Sequence, residues 1–133
     1  YNSVQSYFQK TIDDTRRKGY SETILNRRRY LPDINSNNFM LRAAGERAAI
    51  NSPIQGSAAD IIKMAMILIN KDKNLLEHCS MIMQVHDELV FEVDQTKIKE
   101  VSKKIENHMI SCITLNVPLV VDIGFGHTWA ESH

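Results

Sequence analysis

Cysteine is scarce: Cys79 and Cys112 are the two in 133 residues. Too few and too far apart for the disulfide framework of a small secreted domain, they are expected as buried free thiols in an intracellular, reducing compartment. Long apolar runs are missing too. None approaches the roughly 18 residues of a membrane-spanning helix, so no membrane partner is expected. The N-terminus, Tyr1-Asn2-Ser3-Val4, has neither an initiator methionine nor a signal-peptide pattern and reads as a cut inside a longer chain. No internal repeat or low-complexity tract is visible. Net charge is absent as well, 16 Lys and Arg balancing 16 Asp and Glu, which removes the overall basic excess that phosphate binding normally leaves.

What is there argues for a packed globular chain: 43% of residues are hydrophobic and 24% charged, which excludes disorder. The length allows one core and no second ordinary domain. The zero charge is an average. Residues 1–47 hold nine bases against five acids, a net of +4, and the remainder seven against eleven, a net of −4. An asymmetry of this kind points to a partner.

Val4, Tyr7, Phe8, Thr11 and Ile12 recur at helical spacing and Gly19 stands where that helix would stop. Tyr20–Leu25 and Arg27–Leu31 flank Asn26, a residue tolerant of the left-handed conformation, and predict a basic hairpin. Asn35-Ser36-Asn37-Asn38 offers caps for a helix from Phe39 to Ile50, and Ser52-Pro53 predicts the N-cap and first turn of a separate helix beyond a bend. Met81–His86 and Leu89–Val93 read as a hairpin with Asp87-Glu88 at its tip. Asp94 or Thr96 is the expected cap of a helix burying Ile98, Val101, Ile105, Met109 and Cys112. Leu119–Ile123 predicts a buried strand ended by a Gly124-Phe125-Gly126 turn. The fold class is α+β, a small antiparallel sheet covered by helices.

Three groups could carry chemistry. His86-Asp87-Glu88 sets adjacent carboxylates at strand ends, where they can hold a hard cation such as Mg²⁺ or simply solvate a turn. Arg47, Asn51 and Gln55 stand at i, i+4 and i+8, a row suited to phosphates and to minor-groove acceptors, or a plain polar stripe. Arg16-Arg17-Lys18 and Arg27-Arg28-Arg29 form either a phosphate-facing patch or a solvated surface.

Three ordered segments go further: Arg27-Arg28-Arg29-Tyr30-Leu31-Pro32-Asp33-Ile34, Glu46 through Ile61 (ERAAINSPIQGSAADI) and Gln84 through Val93 (QVHDELVFEV). Together they resemble the C-terminal end of a family A (DNA polymerase I type) DNA polymerase, a likeness running over nearly the whole chain to Trp129 and His133. The resemblance implies the right-hand polymerase fold. Residues 1–40 would be the C-terminal portion of the fingers, helix plus basic hairpin, and 41–133 the C-terminal half of the palm. The hairpin of Gln84–Val93 would be motif C, packed against helices.

The resemblance further implies template-directed addition of dNTPs to a primer 3′-hydroxyl, with primer-template DNA, dNTP and the rest of the polymerase chain as partners and bacterial cytoplasm or a DNA-containing organelle as the place. It makes Asp87 a Mg²⁺ ligand in a two-metal site, with Glu88 beside it and His86 near the primer terminus. Arg47, Asn51 and Gln55 would face the minor groove at the primer end, and Arg27 and Arg28 would be DNA-binding. Leu25-Asn26 stands where the family usually has Asp-Gly, a change Asn absorbs. The second metal-binding aspartate and the nucleotide-binding fingers helix are not in this sequence, so these 133 residues alone are expected to be inactive. The alternative is a non-enzymatic DNA-binding module derived from a polymerase palm.

Overall fold

The computed structural model describes residues 1–132; His133 lies outside them. It divides into two compact units, Tyr1–Asp60 and the chain from Ile61 onward.

In the first unit, helix α1 (Asn2–Lys18) ends at Gly19, whose φ of 80° and N–H bond to Thr15 O make the left-handed cap expected there. Strands β1 (Tyr20–Glu22) and β2 (Arg28–Tyr30) pair antiparallel, with Asn26 at φ 61° in their loop. A 3-10 turn (Pro32–Asn35) leads to helix α2 (Phe39–Lys71), started by Asn38 Oδ1, which accepts from the Met40 N–H at 2.9 Å. Leu31, Ile34 and Ala49 form this unit's core. Gly45 lets helix and turn meet: a Cβ there would stand 2.9 Å from Ile34 Cα.

The expected break at Ser52-Pro53 is absent, and α2 runs through Pro53 as one helix. Pro53 has no N–H to give and disfavours a helix interior. Hydrogen bonds from the hairpin to Ser52, Gly56 and Ser57 hold the segment instead.

In the second unit, the remainder of α2 is followed by α3 (Lys73–Leu76), the antiparallel hairpin β3 (Cys79–Val85) and β4 (Glu88–Val93), and α4 (Ile98–Ser111). Ile69, Leu75, Cys79, Val101 and Ile105 form its core, with Met81, Leu89, Phe91 and Val93 packed against it. The pairing slips between Met81 and Met83, so Ile82 is a bulge. Asp94 caps no helix; its carboxylate takes the Thr96 N–H in a tight turn, and α4 starts after Lys97.

Two further expectations fail. Residues 119–123 form no strand, and Val120 is 77% exposed. A strand needs a neighbour's N–H and C=O groups, and among the described residues β3 and β4 pair only with each other. The single core is instead two clusters, one in each unit. Among the described residues no helix is long and apolar enough to cross a membrane.

Candidate functional site

The β3–β4 hairpin closes in a two-residue turn, His86-Asp87, because Val85 pairs with Glu88. Glu88 thus begins β4 and leaves the tip to His86 and Asp87. His86 sits at φ 54°, the left-handed region, while Asp87 does not. Positive φ at the first turn residue alone suits the right-handed twist of the strands but is normally glycine's place. A non-glycine residue there costs on the order of 1–3 kcal/mol and marks functional segments. Gln84 Nε2 donates to His86 O at 3.2 Å and steadies the turn. His86, Asp87 and Glu88 are all exposed.

Adjacent Asp and Glu oxygens suit a hard cation, which takes six oxygens and keeps waters and phosphates among them. Two carboxylates supply part of such a shell. Among the described residues no three His, Cys, Asp or Glu gather into a set able to hold an ion.

In the other unit, Arg47, Asn51 and Gln55 are exposed on one continuous helix. Four-residue steps advance about 6 Å and turn about 40°, so the three side chains line one stripe some 12 Å long. Gln55 also lines a cleft of about 230 Å³ with Ser21, Glu22, Arg29 and Ser52.

The arginines of the basic hairpin are exposed, yet each is held by a partner in its own unit. Arg27 Nε donates to Asp60 Oδ1 at 2.8 Å and its Nη2 to Gly56 O at 3.1 Å. Arg28 Nε meets Glu22 at 3.0 Å and its guanidinium lies 4.5 Å from the Tyr20 ring centre. The Glu22 carboxylate raises the Arg28 pKa further. Arg29 Nη1 donates to Ser52 Oγ at 3.0 Å. Arg16 donates to Glu46 and Arg17 to Asp14.

Two residues went unnoticed in the sequence. Asp60, its side chain 7% exposed, accepts from Thr23 Oγ1 at 2.5 Å as well as from Arg27; a lone acid in the run Ala58-Ala59-Asp60-Ile61 was the available signal. Asp72 caps α3 through the Leu75 N–H and pairs with His108 Nε2 at 2.9 Å. Both cysteines are buried free thiols, as expected, and burial pushes their pKa values up.

The sequence model for DNA polymerase family A matches residues 1–131. DNA polymerase I of Mycobacterium leprae is 45% identical over 99% of this chain, and that of Streptococcus pneumoniae 47% identical over 99%. The chain spans 15% of the length of either relative. Among solved structures, the POL domain of Pol1 from M. smegmatis in complex with DNA primer-template and dNTP superposes with a TM-score of 0.95 at 43% identity, over 99% of this chain and 24% of that one. With hairpin, helix stripe and every ordered segment inside that match, this chain belongs to family A of the DNA polymerases.

Proposed function

We propose that the chain is the C-terminal fingers and palm segment of a template-directed DNA polymerase, with residues 1–40 in the fingers and 41–133 in the palm. The observation that carries the reading is the strained His86-Asp87 turn, which sets Asp87 at an exposed tip with Glu88 next to it at the start of β4. The M. smegmatis relative is seen with primer-template and dNTP, and we assign those partners here.

Asp87, with Glu88 beside it, would hold Mg²⁺, whose two-metal chemistry neutralises charge on the attacking and leaving oxygens of phosphoryl transfer. His86, fixed by the turn, stands next to the primer terminus. Arg47, Asn51 and Gln55 donate to minor-groove acceptors, which occupy equivalent places in all correct pairs. They report pair geometry without reading sequence.

The test is primer extension by the full-length polymerase carrying these residues. Asp87→Ala is expected to lower kcat by about 10³-fold or more, the scale of losing electrostatic stabilisation of the transition state. Arg47→Ala is expected to weaken primer-template binding by about 1–3 kcal/mol. Normal kcat in Asp87→Ala would sink the metal assignment, and intact affinity and mismatch discrimination in Arg47→Ala the groove assignment.

A further inference from the structure

We propose that Asp60 is a positioning residue for the Gln55 contact, and that Arg27 serves the same clamp rather than a DNA phosphate. The proposal rests on the minor-groove reading of the stripe.

Pro53 lies between Asn51 and Gln55. Without its N–H, the carbonyl of Ala49 loses its helical partner, and the ring pushes against that carbonyl. Left alone, the helix would kink there and turn Gln55 away from Arg47. Hairpin residues stitch both sides of the proline instead. Before it, Arg29 holds Ser52 Oγ at 3.0 Å. After it, the Ile24 N–H donates to Ser57 Oγ at 2.9 Å, and Arg27 holds Gly56 O at 3.1 Å.

Asp60 anchors the hairpin end of this stitching. Its two oxygens take Thr23 Oγ1 and Arg27 Nε, and Thr23 Oγ1 accepts the Arg27 N–H at 3.1 Å. A buried carboxylate accepts such fixed donors readily, because leaving it unpaired is costly. Gly56, next to Gln55, completes the fit: a Cβ there would come within 2.7 Å of Thr23 Cγ2. With both Arg27 bonds directed into α2, the guanidinium works as a strut.

The experiment is a double-mutant cycle in the full-length polymerase, measuring kcat/KM for primer extension and the salt dependence of primer-template Kd. Asp60→Asn and Gln55→Ala are each expected to lower kcat/KM about 10-fold or more, since small misplacements of contact groups are expensive. The double variant should lie within about twofold of Gln55→Ala, because both remove one function. Arg27→Gln should leave the slope of log Kd against log salt unchanged, where loss of a phosphate contact would reduce it by about one. If Asp60→Asn does not fold, Thr23→Val takes its place in the cycle, with an expected loss of about threefold. Multiplying losses in the double variant, or a reduced slope in Arg27→Gln, would overturn the proposal. A silent Gln55→Ala would overturn it, and the groove reading falls with it only if Arg47→Ala is silent as well.

Discussion

His86 at φ 54° is the one turn residue of the β3–β4 hairpin held in the left-handed region. His tolerates it better than a β-branched residue does. His86→Val is therefore expected to cost about 1–2 kcal/mol of stability, read as a lower denaturation midpoint, while His86→Asn should leave the midpoint nearly unchanged and still lower primer extension. Elsewhere a carboxylate sets a pH dependence. The His108 hydrogen bond, then the Leu75 N–H, hold the Asp72 carboxyl below its usual range. A depressed folded pKa contributes stability that is fully present above the ordinary Asp value of about 3.9 and is lost as pH falls through the lower folded value. Asp72→Asn should thus lower the melting temperature at pH 7. The gap to the parent should close as pH drops below about 4, and a gap that persisted there would assign the effect to packing.

At the scale of elements, α2 meets the 3-10 turn through Gly45, where the obstacle to a side chain is Ile34 backbone. Backbone cannot swing aside, so Gly45→Ala is expected to cost about 2 kcal/mol, seen as an earlier urea midpoint with unchanged slope. Periodicity and turn residues made α1, both hairpins and α4 legible, because those signals act between near neighbours in sequence, while the cap expected for α4 at Asp94 or Thr96 did not form. The Arg47, Asn51, Gln55 row on one helix was legible for the same reason, whereas the turn expected at Asp87-Glu88 falls one residue earlier, at His86-Asp87. Continuity of α2 through Pro53 was hidden, since it depends on Ile24, Arg27 and Arg29, roughly 30 residues away. The bulge at Ile82 and the missing strand at 119–123 were hidden too. Alternation shows which face is apolar, but ladder partners decide whether and in what register a strand forms. The pairing of Arg27 with Asp60 was hidden as well, because the two are equally remote in sequence.

Taken whole, the molecule shows why a balanced charge did not argue against a nucleic-acid partner. Five of the nine bases in residues 1–47 pair with acids of their own unit: Arg16 with Glu46, Arg17 with Asp14, Lys18 and Arg28 with Glu22, and Arg27 with Asp60. Those side chains are engaged within the unit, which puts the weight of the DNA reading on the exposed Arg47, Asn51 and Gln55. The acidic share includes Asp87 and Glu88, which we propose as two ligands of a shell that needs about six oxygens. From this follows a prediction for the purified 133-residue chain. A complete site that bound Mg²⁺ would stabilise the fold by about 2.7 kcal/mol at 100 times its Kd, and the half-shell of Asp87 and Glu88 should give no such gain. Millimolar Mg²⁺ is expected to leave the melting curve unmoved, and the same chain to add no nucleotide to a primed template. A metal-dependent rise in melting temperature that disappears in Asp87→Ala, or any primer extension by this chain, would show that these residues build a working site by themselves.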